Sequence, residues 1–231
     1  MNATTRECPF CLEKIDITEI TCSYCNNSME GFNNKIAIKT NWAPIKGNDF
    51  SVVEQELNEI SKTRIEFLAT KSIKSMEFMI IGASLISLIL AIIITLSDIK
   101  DSPAFIFWGF GVFALVFGLF MLKAKLTPRV FDLEQKHYYK GSKYELAKEK
   151  CDIIDIVAIQ VLSEFISADN LISESNIKRK DSYKYEINLI LKDAQRINLV
   201  ESSNLQKIRE DAKKLSEFLN IPLLEVIKKI K

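Results

Sequence analysis

The chain has 231 residues, room for one or two modest domains, and its 31 basic and 30 acidic residues leave a formal net charge of +1. That balance excludes a global field for nucleic acid, and the seven glycines form no phosphate-cradling loop. The polar residues are segregated, with two long apolar runs standing between charged flanks.

Four of the five cysteines fall in two pairs, Cys8-Pro-Phe-Cys11 and Cys22-Ser-Tyr-Cys25, while Cys151 stands far away. Each Cys-x-x-Cys turn can aim two thiolates at one ion, and two such turns complete a tetrahedral zinc site. A redox dithiol or an iron–sulfur centre would use the same residues. The intervening LEKIDITEIT alternates β-branched residues and predicts a short hairpin linking the knuckles. These paired motifs resemble the zinc-ribbon family, which implies structural zinc on Cys8, Cys11, Cys22 and Cys25 in residues 1–34. Leu12 and Asn26 stand where a glycine often follows the second cysteine. Four thiolates leave no open position for a catalytic water. Between Arg6 and Glu30 two basic residues face Glu7, Glu13, Asp16, Glu19 and Glu30, a surface that repels phosphates, so nucleic acid is disfavoured as a partner.

Residues 35–75 read as a linker and juxtamembrane segment. A short strand is expected over Lys35–Thr40. Over 51–75 the spacing of Val53, Leu57, Ile60 and Phe67 favours an amphipathic helix. A strand pair around a Ser-Lys-Thr turn is the alternative, and such a pair would be free to join a C-terminal sheet.

The first apolar run, Phe78–Ser97, contains no charged residue, and neither does the second, Pro103–Leu122. Each reaches about 30 Å as a helix, the hydrocarbon thickness of a bilayer. The expectation is transmembrane helices over 76–97 and 103–123, joined by an external turn over 98–102. Core helices of a soluble protein are the competing reading. No apolar signal segment opens the N-terminus, so the first run is expected to direct its own insertion. Lys62, Arg64, Lys71 and Lys74 precede the pair and Lys123, Lys125 and Arg129 follow it, which puts both termini in the cytoplasm of a plasma (inner) membrane protein. Cysteines kept reduced for zinc agree. Ala83, Ser87 and Ala91 on one helix, and Gly111, Ala114 and Gly118 on the other, mark facing seams. Trp108 is placed as an interfacial anchor. Neither run carries an internal charge, which weakens a transport function.

Residues 129–231 predict an antiparallel β domain with a terminal helix. RVFDLEQ and KHYYKGSK flank a turn, and 156–167 form a long strand. Tyr183, Tyr185, Ile187, Leu189 and Leu191 alternate with Lys184, Glu186 and Asn188 in a half-buried strand, paired through Lys192–Gln195 with Ile197 and Leu199. Ser203 and Gln206 suggest a capping box, Leu205, Ile208, Ala212, Leu215 and Leu219 one apolar helix face, and Asn220 and Pro222 the stop. This layout resembles the pleckstrin-homology-like (PH-like) architecture. The whole order of ribbon, two spans and PH-like tail is similar to a family of uncharacterised bacterial inner-membrane proteins. There the segment Trp42–Phe50 and YEINLILKDAQRINLVESSNLQKIREDAKKLSEFLNIP have counterparts, and no activity comes with the resemblance.

His137 and Cys151 stand in no nucleophile motif. Lys178, Arg179 and Lys180 form a basic loop that could meet anionic lipid headgroups. The expected fold is therefore an α+β membrane protein. Its expected function is non-enzymatic, a membrane-anchored binding or assembly module that holds the ribbon and the PH-like domain on the cytoplasmic face. Membrane lipid and a protein partner are implied, and self-association is compatible. Anionic-lipid or signal sensing is the alternative, and a thiol redox enzyme ranks last.

Overall fold

A computed structural model describes residues 4–32, 35–45, 55–97, 104–166 and 182–227. Two sheets share one apolar core. The first is an antiparallel meander of β3 (Gln55–Ser61), β4 (Arg64–Ala69), β5 (Arg129–Asp132), β6 (His137–Lys140) and β7 (Lys150–Asp152), in that order. The second has the order β10 (Arg196–Ser202), β9 (Ser182–Leu191), β8 (Ile156–Ile166) and β11 (Leu223–Val226). Ile65, Phe67, Phe131 and Tyr138 from the first sheet meet Ile159, Val161, Ile187, Leu189 and Leu199 from the second. Helix α4 (Leu205–Leu219) adds Ile208, Ala212 and Leu215 to the same core.

Over 55–69 the expected amphipathic helix is replaced by two strands, while Lys71–Ser75 form the start of the long apolar helix and 51–54 lie outside the described residues. Ile65, Phe67 and Ala69 bury alternate positions of β4, a period of two that the helical spacing skipped over by omitting Ile65. The strand-pair alternative holds, and β4 pairs with β5 from Arg64↔Asp132 to Phe67↔Arg129. The β domain therefore draws strands from both sides of the apolar helices and does not begin at 129. Residues 55–69, expected within the linker, are for the same reason part of the sheet.

The strand expected over Lys35–Thr40 is also replaced, by the short helix α1 (Lys35–Lys39). Trp42 Nε1 donates to the Ala37 carbonyl at 3.2 Å, a contact that requires the chain to coil back on itself. Trp42 and Ala37 then pack on Ala158, Leu162, Ile190, Leu224 and Val226, the far face of the second sheet. That cover changes β9. The expected half-buried strand buries both faces, with Lys184, Glu186 and Asn188 all 2 % exposed or less. Their polar groups are satisfied internally. Asn188 Nδ2 donates to Glu186 Oε1 at 2.8 Å, the Ile45 N–H reaches the Glu186 carboxylate at 3.2 Å, and Lys184 Nζ lies 3.2 Å from Glu201 and 3.6 Å from Glu164.

Helix α4 is capped one residue later than expected. Asn204 Oδ1, not Ser203, accepts from the Lys207 N–H at 3.1 Å, and Gln206 instead donates to Glu210. An asparagine accepts this bond as well as a serine does, and here it occupies the turn position. Asn220 ends the helix in the left-handed region at φ 51°. After Pro222 the chain continues into β11, parallel to β8, a strand the sequence reading did not contain.

Helices α2 (Lys71–Leu96) and α3 (Ala104–Leu126) are long and apolar enough to span a membrane, and most of their large side chains are exposed. They lie against each other. Ser84, Ser87 and Ala91 are buried on α2, so the seam includes Ser84 where Ala83 was expected, and Ala83 is exposed. On α3, Gly111 and Gly118 are buried as expected. A Cβ on Gly111 would stand 2.8 Å from Leu88 Cγ, and one on Gly118 would stand 3.2 Å from Ile81 Cγ1. Ser87 Oγ donates across the seam to the Phe107 carbonyl at 3.0 Å. Trp108 Nε1 donates to Thr95 Oγ1 at 3.4 Å. The turn expected over 98–102 lies outside the described residues.

Candidate metal centre

Each cysteine pair sits in the turn of a miniature hairpin. Strand β1 (Thr5–Glu7) pairs antiparallel with β2 (Lys14–Asp16) on either side of Cys8–Cys11, and Thr21 bridges Ser28 on either side of Cys22–Cys25. The expected hairpin between the knuckles is thus replaced by one hairpin around each. Pairing across a knuckle needs only a short closure, whereas Ile17–Ile20 leads from one to the other with Ile20 exposed.

The two knuckles repeat the same backbone chemistry. The Leu12 N–H donates to the Cys8 carbonyl at 2.9 Å, and the Asn26 N–H to the Cys22 carbonyl at 2.9 Å. Cys8 N–H donates to the Glu13 carbonyl, and Cys22 N–H to the Asn27 carbonyl. Leu12 and Asn26 adopt φ of 66° and 56°, the left-handed conformation that glycine would take without strain. The missing glycines therefore leave the knuckle geometry intact, with Leu12 bearing a cost of about 1–2 kcal/mol.

These turns bring all four Sγ atoms within 4.8 Å of one another. Cys8 Sγ is 3.7 Å from Cys25 Sγ, and Cys11 Sγ is 3.7 Å from Cys22 Sγ. A disulfide needs about 2.05 Å. A metal with arms of about 2.3 Å sets tetrahedral sulfurs about 3.8 Å apart. The donor set thus fits a metal ion such as zinc. Burial pushes the Cys8 thiol up to about 12 and raises Cys11. Burial acts in the same direction on Cys25, but the Asn27 backbone and side-chain amides and neighbouring thiols bring it down to about 7. Asn27 Nδ2 donates to Cys25 Sγ at 3.2 Å, a contact of the kind that would steady a metal-bound sulfur.

Arg6 ties the ribbon shut. It is 5 % exposed, and its guanidinium donates to the carbonyls of Phe32 at 2.7 Å and Glu19 at 2.8 Å. With Arg6 occupied inside, Lys14 is the exposed cation among residues 4–30, beside exposed Glu7, Glu13, Asp16 and Glu30.

The ribbon does not swing on a tether. Phe10 packs edge-on to Phe32 at 5.7 Å, and Phe32 edge-on to Trp42 at 5.2 Å. Phe10, Leu12 and Phe32 join the cluster on the far face of the second sheet. These joint residues were missed by the sequence reading. The one available signal was a lone tryptophan in a stretch rich in Asn and Gly, where an exposed linker has no use for one.

Of the other residues singled out, Lys178, Arg179 and Lys180 lie outside the described residues. His137 Nδ1 sits 3.1 Å from Asp152 and its ring stacks on Tyr144 at 3.9 Å. Burial, with Asp155, Asp152 and Glu149 nearby, pushes the Cys151 thiol up to about 12, away from thiolate chemistry.

Comparison of the chain with protein-family models, curated proteins and solved structures finds no match.

Proposed function

We propose that the chain is a non-enzymatic, membrane-anchored binding or assembly module of the inner-membrane family it resembles. Helices α2 and α3 cross the bilayer as an antiparallel pair, zinc fills the four-cysteine centre, and the two-sheet domain stands on the cytoplasmic face. The observation that carries this reading is the way the helices are joined to the sheet. One residue, Thr70, separates β4 from α2, and two, Thr127 and Pro128, separate α3 from β5, while β4 and β5 are themselves paired neighbours. Both ends of the helix pair thus return to one sheet, which holds the domain against the membrane surface without slack. Lys71, Lys74 and Lys123 flank the same ends, and the positive-inside rule puts that side in the cytoplasm. Two sheets closed by α4 support the PH-like architecture, with β11 as an addition to it.

The ribbon carries the protein-contact role in this reading. Ile20 and Tyr24, both about two-thirds exposed, stand on a surface that repels phosphates. Affinity isolation of the full chain in mild detergent, quantified by mass spectrometry, tests it. A partner recovered in stoichiometric amount by the wild type and lost with Ile20→Ser and Tyr24→Ser is expected. Recovery of no stoichiometric partner refutes the binding role. Zinc at one per chain that survives mild oxidation would eliminate the thiol redox alternative.

A further inference from the structure

Among the described residues the most exposed large apolar side chain is on neither apolar helix. Leu146, in the loop that joins β6 to β7, is 81 % exposed. A lone exposed leucine is ordinary on a protein surface, so its place in the fold decides what it means. The loop leaves β6 after Lys140 and returns at Glu149, whose carbonyl accepts from the Lys140 N–H at 2.9 Å. Lys140 pairs with Arg129, the first residue of β5, so the loop stands at the end of the sheet where α3 enters. Ala147 is buried with Val130 and Tyr139, which pins the loop and leaves its neighbour Leu146 at the surface.

The depth of this end follows from α3. Its apolar run stops at Leu122, and Lys123 is the first charge after it, which marks the headgroup level. From Lys123 to Leu126, the last residue of the helix, the rise is about 4.5 Å. The headgroup layer is about 5–8 Å deep on each side of the hydrocarbon, so α3 ends inside it. Gly141 and Ser142, the first residues of the loop, line a hollow of about 360 Å³ together with Lys123, Leu126, Thr127 and Pro128. The Gly141 N–H donates to the Pro128 carbonyl at 2.9 Å. The base of the loop is therefore fixed beside the last turn of α3. Lys143, Glu145 and Lys148 are exposed on the loop itself, and Lys123 is exposed across the hollow. Lys150, at the return strand, is turned back over the Tyr144 ring at 4.7 Å.

We propose that the β6–β7 loop docks on a lipid surface, with Leu146 seated at the headgroup–acyl boundary of the leaflet that α3 leaves and Lys143 and Lys148 against anionic headgroups. The proposal rests on the membrane-anchored reading, in which α2 and α3 cross the bilayer. An apolar tip between two lysines suits that boundary, because the tip enters the acyl region while the long basic side chains reach the phosphates. The docking also has a mechanical effect. The helices join the sheet through two neighbouring strands, β4 and β5, which leaves the domain free to tilt about that line. A third point of contact, two strands further along the sheet, stops the tilt.

The test uses the full chain in nanodiscs of phosphatidylcholine and phosphatidylglycerol, with or without bromine on the acyl chains close to the headgroup. In a Trp108→Phe background the remaining tryptophan is Trp42, 1 % exposed. Leu146→Trp in that background is expected to lose most of the added indole emission to bromine. Ile154→Trp is the control. Ile154 is 73 % exposed and follows Ile153, whose N–H donates to the Lys136 carbonyl in the β5–β6 turn, at the opposite end of the sheet. Its added emission is expected to survive. Both positions are at the surface, so neither replacement disturbs the core. Lys143→Gln with Lys148→Gln, combined with Leu146→Trp, is expected to lessen the quenching, and unchanged quenching overturns the part given to the lysines. Emission from Leu146→Trp that bromine leaves intact, or quenching no greater than that of Ile154→Trp, overturns the docking. The chain with its natural tryptophans reads the anchor separately. Quenched Trp108 beside an unquenched Leu146→Trp indole would refute the loop contact alone, whereas unquenched Trp108 would refute the anchor itself.

Discussion

Stripping zinc from the chain loaded at its four-cysteine centre should unfold residues 4–32 and uncover Trp42. The buried members of the ribbon's hydrophobic cluster are Cys8, Ile15, Cys22 and Met29. Apart from the ligands this leaves Ile15 and Met29, at about 1.5–3 kcal/mol each for full burial. Structural zinc on a small domain contributes about 10–16 kcal/mol at pH 7, so zinc bound here would outweigh the apolar core, and the ribbon is expected not to hold once it is removed. Phe32 then leaves its edge-on position 5.2 Å from Trp42, a contact contributing about 0.5–1.5 kcal/mol beyond its buried area. The indole, 1 % exposed in the folded chain, becomes open to water. The chain has two tryptophans, so Trp108→Phe makes Trp42 the sole reporter. Adding a strong chelator to that variant should red-shift and weaken the emission, and excess zinc should restore it. Far-ultraviolet circular dichroism should keep the helical signal of α2 and α3. If thiol reagent then titrates the four sulfurs while Trp42 emission stays unchanged, the ribbon and the sheet are joined independently of the metal and the reasoning fails.

Three further outcomes are expected. Burial raises the Asp211 carboxyl to about 6, its Oδ2 has no hydrogen-bond partner among the described residues, and Lys207 and Lys214 only partly offset the burial. A raised acid favours folding below its unfolded value, and that contribution fades as pH climbs through about 6. Asp211→Asn should therefore match the wild type near pH 4 and exceed it by about 1–3 kcal/mol at pH 7, read from melting curves between those limits; a wild-type profile with no downward slope would contradict this. Gly111→Ala should loosen the α2–α3 pair by about 1–3 kcal/mol through its clash with Leu88, whereas Gly82→Ala and Gly109→Ala, with nothing within 4 Å, should not; thermal denaturation in detergent compares the three. Lys184→Met should cost about 3–5 kcal/mol, because it leaves the Glu164 and Glu201 carboxylates facing each other without the ammonium between them, and adding Glu201→Gln should recover part of that loss.

Local pattern in the sequence carried the knuckles, the two apolar helices and the strands of the C-terminal half, because each of these is written in spacing over a few residues. Pairing over long distance is not written there. Nothing in RIEFLA says that its partner is RVFD, on the far side of two helices. The polar positions of β9 read as a solvated face because alternation reports two faces and not what covers them. A single tryptophan with its short helix turned that face into buried structure. Displacement of the seam from Ala83 to Ser84 has the same origin. A helix with no polar stripe leaves its rotation undetermined, and contact with α3 sets it. At the candidate metal centre the clustering of the four cysteines was legible, whereas Arg6 and Phe32 were not, since both act through carbonyl and ring contacts with residues distant in sequence.

The joining of β4 to β5 has a consequence for how the protein is made. Strands β3 and β4 leave the ribosome before either apolar helix, and β5 leaves after both. Until then β4 presents an unpaired edge, the kind of surface that aggregates. The sheet closes only after α2 and α3 have folded back on each other and brought β5 beside β4. Closure of the β domain thus depends on the α2–α3 pair having formed, and a chain in which the two helices fail to pair would keep that edge exposed.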